Sequence, residues 1–531
     1  MNPPSLGAKR NEKLAMIALG IDLGTTYSCV VHHTSTGDDH LIPSGQGADL
    51  TPSVVYFDPD GSVLVGDAAK RLLKTDPGNV VVGIKRHMGQ DHPLEFHGRM
   101  YTPEAISGVI LRRLCLDATT HLGVEQSQLQ WVITVPAYFG VAEKEATYAA
   151  VRIAGLNCLE LLAEPIAAAY ANGVVPNNDE SSLVFDLGGG TFDVAVVGVV
   201  DNYPRIWAVD GENQLGGLDW DRRLADLLWE GLTTQGIDDE AIYDDEFAAS
   251  LMSEAELMKR QMSGHDAATA RIRHAGTTYT VSVTRSSFES ATADLVGQCL
   301  AAAKRVTASA QLLGAHKVTR VLLVGGSVRM PMIRAALEHE LRLPTFIDDP
   351  EKAVARGAAI LANNLQKQHG ILGVRSPDQT GARQIAPVLP KGIGIKTHSS
   401  KLPPRPEPYI LSILSQNTPL PVGKRVTVAT MQSNQSTARI EIYEQAGSIL
   451  SEELSANRLL FDGEVVGIAS GPAGSPIVLS VTVEIDGRIN VTAADGTTGG
   501  PLELEAFIHG VIDDQELSDQ ASKVANLVMV K

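Results

Sequence analysis

Long hydrophobic runs are missing from this sequence. No apolar stretch approaches the ~18 residues that a membrane-spanning helix needs, and the polar start MNPPSLGAKRNEKLAM lacks the apolar segment of a signal peptide. Basic residues are also fewer than acidic ones. The chain has 44 Lys and Arg and 62 Asp and Glu, which gives a formal net charge of −18. This balance argues against nucleic acid and anionic membrane as partners. We therefore expect a cytoplasmic protein that binds neither.

Cysteine is scarce as well. The four cysteines are scattered, with no CxxC pair and no nearby His at metal-ligand spacing: Cys29, Cys115, Cys158 and Cys299. They are typical of buried, reduced thiols, and the pattern argues against a disulfide framework. What is present is globular, with 44% apolar and 20% charged residues. A chain of 531 residues exceeds what one hydrophobic core normally serves, so we expect at least two domains.

The pattern along the chain changes twice. The first part alternates strand-like and helix-like stretches, and its apolar runs IALGIDLG, WVITVP, SLVFDLGG and VTRVLLVGG are typical of strands buried on both faces of a sheet. A stretch rich in Gly, Pro, Ser and Gln follows, and then alternating β patterns with a hairpin around Asp486-Gly487. We predict a disordered leader over 1–15, an α/β domain over 16–367, a linker over 368–391, a β domain over 392–511 and a helical segment over 512–531.

A strand-turn motif occurs twice in the α/β part. IDLGTT begins at Ile21, and FDLGGGTFD begins at Phe185. Two such motifs, about one small domain apart, indicate a duplicated fold with a cleft between its halves. A chance match of short motifs is the alternative.

Both turns have the chemistry of a phosphate site. Glycine lets backbone N–H groups approach a phosphate, and threonine hydroxyls add donors. Aspartate repels phosphate but can hold a hydrated Mg²⁺ that binds it. An ordinary glycine-rich turn is the alternative for either motif alone, and the pair favours the phosphate site. The candidates are Asp22, Gly24, Thr25 and Thr26 in the first turn, and Asp186, Gly188, Gly189, Gly190, Thr191 and Asp193 in the second.

Two weaker signals suit a nucleoside. A third strand-to-glycine turn lets a flat base lie against the backbone, with an arginine stacked on it: Gly325, Gly326, Ser327 and Arg329. One helix face carries four polar residues at i, i+3, i+4 and i+7: Glu256, Lys259, Arg260 and Ser263. The carboxylate of Glu256 suits ribose hydroxyls, and the guanidinium of Arg260 suits the purine. For the helix face taken alone, a solvated Glu–Lys pair is the better interpretation.

Together these motifs resemble a known family. IDLGTTYSCV, VPAYF, IAGLNCLELLAEPIAAAYANG, FDLGGGTFDVAVV, EAELMKRQMS and VLLVGGSVRMP are similar, in order and spacing, to the nucleotide-binding domain of the DnaK-type 70-kDa heat-shock chaperones. The similarity runs from about Ile17 to Leu365 and continues through SQNTPLP, QSNQSTARIEIYE and INVTAADGTTG. It implies an α/β actin-like nucleotide-binding domain, a duplicated ATPase fold, followed by a β-sandwich peptide-binding domain. Residues 512–531 would then be the start of a truncated helical lid.

The resemblance also implies catalytic roles. Lys85 resembles the lysine that supports attack of water on the γ-phosphate of ATP, and Glu164 the carboxylate that orders water and metal. The implied catalytic set is Lys85, Glu164, Asp186, Thr191 and Asp193. Mg²⁺ would be held through water by Asp22, Asp186 and Asp193. The phosphates of ATP or ADP would contact Thr25, Thr26 and Thr191.

Binding sites are implied in the same way. The nucleoside candidates match the family's adenosine pocket, at Glu256, Lys259, Arg260, Ser263, Gly326, Ser327 and Arg329. An extended apolar peptide would lie on mid-sized apolar side chains: Ile395, Val428, Ala438, Ile440 and Leu479. Family members work with a J-domain co-chaperone and a nucleotide exchange factor, which makes both expected partners here.

The chain departs from the family pattern in three places. The family's linker is a leucine-rich run closed by an aspartate, whereas this chain has RQIAP over 383–387. Lys144 stands where the family has an arginine that relays the nucleotide state with Pro136, and Lys lacks the planar fork of Arg. The third departure is the lid, which is limited to one helix. Coupling between the domains therefore stays open, and we expect a lidless groove to release peptide quickly.

The sequence thus predicts an ATPase chaperone that couples ATP hydrolysis to binding of unfolded or extended polypeptides. A second interpretation is an ATP-sensing protein that holds one dedicated client with little turnover. Stimulation by many unrelated apolar peptides, rather than by one protein, distinguishes the two. A third interpretation, a small-molecule kinase of the same fold, requires an acceptor-binding insertion and a carboxylate base, and it leaves the β domain unexplained.

Overall fold

The computed structural model describes residues 16–173, 180–200, 203–372, 387–398, 407–447, 449–485, 487–508 and 512–530. The expected leader over 1–15 and most of the expected linker lie outside these ranges. Within them, none of the helices combines the length and the apolar character that crossing a bilayer requires.

The α/β domain begins with a half that contains both strands and helices. Its elements in chain order are β1 Ile17–Asp22, β2 Tyr27–His33, β3 Asp39–Ile42, β4 Thr51–Pro52, β5 Val54–Phe57, β6 Ser62–Val65, α1 Asp67–Leu72, β7 Val80–Val82, β8 Leu94–Phe96, β9 Arg99–Tyr101, α2 Pro103–Leu122, β10 Leu129–Val135, α3 Val141–Ala154, β11 Cys158–Ala163 and α4 Glu164–Ala171. As predicted, the apolar run of β1 is buried on both faces. Leu19 and Ile21 lie in one core with residues of α2 and α3, while Ala18 lies in another with residues of α4.

The second half follows directly. Its elements are β12 Ser181–Leu187, β13 Phe192–Val200, β14 Tyr203–Glu212, α5 Gly217–Thr233, α6 Asp245–Met262, β15 Ala267–His274, β16 Thr277–Thr284, α7 Arg285–Ala291, α8 Ala293–Leu312, β17 Val318–Val324, α9 Pro331–Leu341, β18 Thr345–Ile347 and α10 Ala353–Leu372. The last helix extends past the boundary expected at Lys367. It packs against α4 and β1, so it joins the two halves.

The two halves share one strand order. The first sheet runs β11-β10-β1-β2-β3 and the second runs β18-β17-β12-β13-β14. In each, the motif-bearing strand pairs antiparallel with the strand after it and parallel with a later strand, β10 or β17. Both repeated turns therefore leave the carboxyl ends of equivalent strands. This shared topology agrees with the duplication that the repeated motif indicates.

The β domain forms one sheet that curves around a core. Its elements are β19 Ile393–Thr397, β20 Tyr409–Leu414, β21 Val422–Ala429, β22 Thr437–Gln445, β23 Asn457–Val466, β24 Pro476–Val483, β25 Ile489–Asp495 and β26 Pro501–Ile508. The strand order is β20-β19-β22-β23-β26-β25-β24-β21. The predicted hairpin is present, since β24 pairs antiparallel with β25 and Gly487 has φ +93°. Asp486 itself lies outside the described residues.

The C-terminal segment contains the predicted helix, α11 Asp514–Ala525, and a short strand, β27 Val528–Met529. The helix packs against α2 and α3 of the α/β domain, and the strand pairs with β6. Its helical character was predicted; its position against the α/β domain was not.

Candidate functional site

The two repeated turns face each other across a narrow gap. A Cβ at Gly190 would lie 2.1 Å from Cγ2 of Thr25, and one at Gly189 would lie 2.1 Å from Oγ1 of Thr26. Any larger residue at either position would force the turns apart, so glycine is required by this close approach. Gly325 in the third turn has φ +84°, and a Cβ there would meet the backbone of Leu187 at 2.4 Å. All three turns thus converge because their glycines lack side chains.

A cleft of about 700 Å³ lies between the halves, which is large enough for a nucleotide-sized ligand. Of the residues that the sequence suggested for phosphate, metal, catalysis or nucleoside, it is lined by Asp22, Gly24, Thr25, Thr26, Lys85, Glu164, Asp186, Gly188, Gly189, Thr191, Glu256, Lys259, Arg260, Ser263, Gly325, Gly326, Ser327 and Arg329. Gly190 and Asp193 lie just behind this surface. Gly190 accepts a hydrogen bond from Arg86 Nε at 2.7 Å, and Asp193 accepts one from the Tyr138 amide at 2.8 Å.

A buried ion pair lies at the bottom of the cleft. Lys85 Nζ is 2.9 Å from Glu164 Oε1, and each side chain is only 7% exposed. Burial acts to lower the pKa of Lys85, but the charges of Glu164 and Asp22 outweigh it and raise that pKa. Lys85 is therefore a permanent cation, held in one position by its partner.

The aspartates around this pair exceed the positive charge available to them. Burial, and next the charge of Glu164, raises the pKa of Asp22 to about 7 and that of Asp193 to about 8. The pKa of Asp186 is raised well above its ordinary value for the same two reasons. A buried carboxylate cluster of this kind is stabilised by a divalent cation. Among the described residues, no three His, Cys, Asp or Glu side chains converge as direct metal ligands. The excess of buried carboxylates fits a divalent cation such as Mg²⁺.

One hydroxyl at the phosphate turns has no partner. Thr25 is 5% exposed, and its Oγ1 is buried without a hydrogen bond. A buried hydroxyl without a partner costs free energy. A phosphate oxygen in the cleft would accept from it, so this atom supports a phosphate site independently of the carboxylates.

The helix face suggested for the nucleoside is part of the cleft, not a solvated surface. Glu256 accepts from Lys70 Nζ at 2.7 Å and from the Tyr27 hydroxyl at 3.4 Å. Lys259 Nζ is 2.7 Å from Asp221 rather than paired with Glu256. Ser263 is the C-cap residue of α6. The expected Glu256–Lys259 pair is therefore absent, whereas Glu256 does pair with Arg260 of the same helix at 3.2 Å, and the Arg260 side chain is 58% exposed.

Several residues that line the cleft were not singled out from the sequence. The charged and aromatic ones among them are Tyr27, Lys70, Asp221 and Glu351. Glu351 pairs with Arg329 through both Nε and Nη2 of the guanidinium. Arg329 lines the cleft, and its pairing with Glu351 restricts the position of its side chain.

The five apolar residues suggested for peptide binding lie together in the core of the β domain. Ile395, Ile440 and Leu479 are at most 4% exposed, while Val428 and Ala438 are half-buried. In this arrangement the β domain's own side chains cover most of that surface. A peptide would reach the first three only after neighbouring strands or loops move apart.

A second charged cluster lies where the β domain meets α3. Glu143 accepts from Arg458 Nη1 and Nη2, both at 2.9 Å, and from Lys391 Nζ at 3.1 Å. Glu444 lies 2.6 Å from Arg458 Nη2 and accepts from the Val141 amide. Glu143, Lys391 and Glu444 are nearly inaccessible to solvent. No local sequence pattern predicts this cluster, since Glu143 and Lys391 lie far along the chain from each other and from the β22–β23 pair that carries Glu444 and Arg458.

With this geometry established, comparison with known families identifies the chain. The family model described as Hsp70 protein matches residues 18–526. The chain therefore belongs to the Hsp70 family. Proteins of this family are in general ATPases that bind ATP or ADP with Mg²⁺, and they bind unfolded polypeptides and co-chaperones.

Proposed function

We propose that this protein is an ATP-dependent chaperone whose two-lobed, actin-like domain hydrolyses ATP and whose β domain binds extended apolar peptide. The observation that carries the proposal is one cleft holding the Lys85–Glu164 pair, the surrounding aspartates and the unpartnered Thr25 hydroxyl. A nucleoside-binding cleft alone would need neither the fixed cation nor the excess of carboxylates. Phosphoryl transfer needs both, because its catalysis consists mainly of positioning and charge.

Each group at the bottom of the cleft then has a role in ATP hydrolysis. Lys85 supports the attacking water at the γ-phosphate, and Glu164 holds Lys85 in place and orients that water. Asp22, Asp186 and Asp193 would hold the hydrated Mg²⁺. When bound, Mg²⁺ neutralises charge on the phosphates. The turn threonines donate to the phosphate oxygens, and the backbone N–H groups of the glycines add to them.

The outer cleft suits adenosine. Glu256 would accept from the ribose hydroxyls. Burial acts to raise its pKa, but Lys70, Arg260 and Lys259 together outweigh burial and lower it, so the carboxylate is charged and can accept. Arg260 and Arg329 would flank the purine ring. The pairing of Arg329 with Glu351 reduces the conformational freedom that binding would otherwise cost.

Contacts at the boundary support coupling between the two domains. The Tyr138 amide donates to Asp193, and the Lys391 ammonium lies 5.2 Å from the centroid of the Tyr138 ring. Three residues further on, the Val141 amide donates to Glu444 of the β domain. The turn over 136–141 thus touches the β domain on one side and a metal-site aspartate on the other. A movement of the β domain would be transmitted to Asp193 through this turn.

The ATPase proposal is tested with Lys85→Ala. We expect hydrolysis in a single turnover to fall by about a hundredfold or more, while ADP affinity changes little, since Lys85 acts on the transferred phosphoryl group. Lys304→Ala removes an exposed cation far from the cleft and serves as the control. Equal loss of turnover and ADP affinity would make Lys85 a simple binding residue. Absence of any thermal shift with millimolar Mg²⁺ and nucleotide would overturn the proposal as a whole.

A further inference from the structure

The hairpin that leaves the first phosphate turn carries three histidines within nine positions. Its strands β2 and β3 pair antiparallel, with His32 opposite His40 and His33 opposite Asp39. Neighbouring residues of a strand point to opposite faces of the sheet, so the two pairs lie on different faces. The hairpin therefore presents two imidazoles together on one face and a His–Asp pair on the other.

The face with His33 is already occupied. His33 Nδ1 is 2.6 Å from Asp39 Oδ1. Cys29 and Val31, which alternate with the other residues of β2 onto this same face, pack against α10. His33 therefore has a partner of its own and serves as an internal comparison for the other two histidines.

The rings of His32 and His40 lie beside each other without such a partner. Their centroids are 6.4 Å apart. Within the described part of the chain, neither ring has a hydrogen-bond or salt-bridge partner. His40 is exposed and His32 is half-buried, so an ion in solvent can reach the pair. Both rings can thus accept a ligand without giving up an existing contact.

The separation of the rings suits a single metal ion between them. A histidine nitrogen binds Zn²⁺ at about 2.0–2.1 Å, so two rings on one tetrahedral ion have their centroids roughly 5 Å apart. Rotation of the exposed His40 side chain between its staggered positions supplies the remaining difference of about 1 Å. Water completes the coordination, as it does in other open zinc sites.

The protonation state of His32 favours a metal as well. Burial, and next the charges of His40 and His33, lowers the pKa of His32 below its ordinary value of 6.5. A metal binds only the neutral imidazole, because a proton competes for the same lone pair. Near neutral pH, His32 therefore offers its nitrogen to a cation without first losing a proton.

We propose that His32 and His40 form a surface site for a borderline divalent cation, of which Zn²⁺, Cu²⁺ and Ni²⁺ are examples, and that this ion joins β2 to β3. Imidazole suits these ions, whereas Mg²⁺ prefers oxygen ligands. Neither histidine lines the cleft, so the site is separate from the carboxylates there. The bound ion would fix the hairpin that follows Thr26 of the first phosphate turn. Because only the folded hairpin brings the rings together, the ion would also stabilise the folded chain.

The test is a calorimetric titration of the full chain with Zn²⁺ at about pH 7.5, where the imidazoles are neutral. Millimolar Mg²⁺·ADP is present throughout, so that the cleft is supplied with its own ligands. We expect one equivalent of Zn²⁺ to bind, and His32→Gln or His40→Gln to weaken binding by more than about tenfold, since loss of an outer partner of a metal ligand already costs that much. His33→Gln is the matched control. It removes the neighbouring imidazole from the opposite face and should leave the affinity within about twofold.

An unchanged Zn²⁺ affinity in His40→Gln, or an equal loss in His33→Gln, would overturn the site. His40 is exposed, so its replacement leaves the fold intact, and thermal unfolding without Zn²⁺ checks this directly. Electron paramagnetic resonance of one equivalent of Cu²⁺ is a second measurement. It should show two nitrogen ligands in the unsubstituted chain and in His33→Gln, and fewer in His40→Gln. A spectrum with oxygen ligands alone in the unsubstituted chain would place the ion elsewhere and refute the proposal.

Discussion

Removing one charge from the cluster between the β domain and α3 should loosen the boundary between the domains. Glu143 is buried and accepts from both Arg458 and Lys391. Glu143→Gln keeps the shape of the side chain and removes its charge. Lys391 is then left buried with Glu444 at 4.0 Å as its nearest carboxylate, which weakens its pairing.

The size of the effect follows from the pKa of Glu143. Burial acts to raise this pKa, but Lys391 and Arg458 outweigh burial and lower it from 4.5 to about 2. Each pKa unit corresponds to ~1.4 kcal/mol, so the folded boundary favours the charged form by about 3 kcal/mol. Because the folded pKa is the lower one, this stabilisation is present above pH 4.5 and is lost as the pH falls towards 2. A loss of about 3 kcal/mol also matches the lower end for breaking a buried ion pair.

Hydrogen exchange measures the opening of this boundary directly. The Val141 amide, which donates to Glu444, should exchange about a hundredfold faster in Glu143→Gln, the rate equivalent of about 3 kcal/mol. Glu464→Gln removes an exposed charge from the same strand as Arg458 and should change nothing. An acceleration below about threefold, or an equal one in the control, would refute the reasoning that these charges hold the domains together.

The remaining predictions concern the nucleotide and peptide sites. Asp22→Asn should stabilise the ligand-free protein at pH 8 by about 4 kcal/mol, because the raised pKa of Asp22 favours the folded state only at low pH, and this stability is lost as the pH rises through about 7. Thermal unfolding should show that gain together with loss of the shift caused by Mg²⁺·ADP. Gly190→Ala should weaken ATP binding in calorimetric titrations, since its Cβ would meet Thr25, whereas Gly297→Ala adds a Cβ in open space and should be neutral. Val428→Phe should shift peptide preference from aromatic towards leucine-like side chains, because it fills space that a larger client residue would occupy. Anisotropy titrations measure this preference, and an unchanged preference would show that Val428 does not line the peptide site.

The phosphate turns could be found from the sequence because their chemistry is local. Glycine, threonine and aspartate must stand within a few positions of one another, and the turn after β1 and the turn after β12 both show this. The alternation and hairpin signals of the β domain are local in the same way. The helical character of the C-terminal segment was also visible, and the structure adds Asp513 as the N-cap of the helix. Such features depend on neighbours along the chain, which the sequence displays directly.

Features that depend on tertiary distance were missed. Lys70 lies 186 positions from its partner Glu256, and it looks like an ordinary surface charge until α1 and α6 meet across the cleft. The same holds for Asp221 and Glu351. A lone charged residue is usually solvated, so nothing in its immediate sequence marks it as part of a cleft.

The unusual linker illustrates why a local departure from a family pattern does not decide how domains contact each other. The stretch over 383–387 lacks the family's leucines and aspartate, and from this the sequence left the coupling open. The residues just after it contact the α/β domain. Val388 is 5% exposed in an apolar cluster with Ala137 and Leu162 of the α/β domain, and Lys391 reaches Glu143. Burying charged groups is costly unless each is paired, so the cluster of Glu143, Lys391, Arg458 and Glu444 restricts the β domain to an orientation that pairs them all. Apolar contact by itself has no preferred direction, so it restricts the orientation less than paired charges do. The charged boundary in this chain supplies the geometric specificity that an apolar linker alone does not.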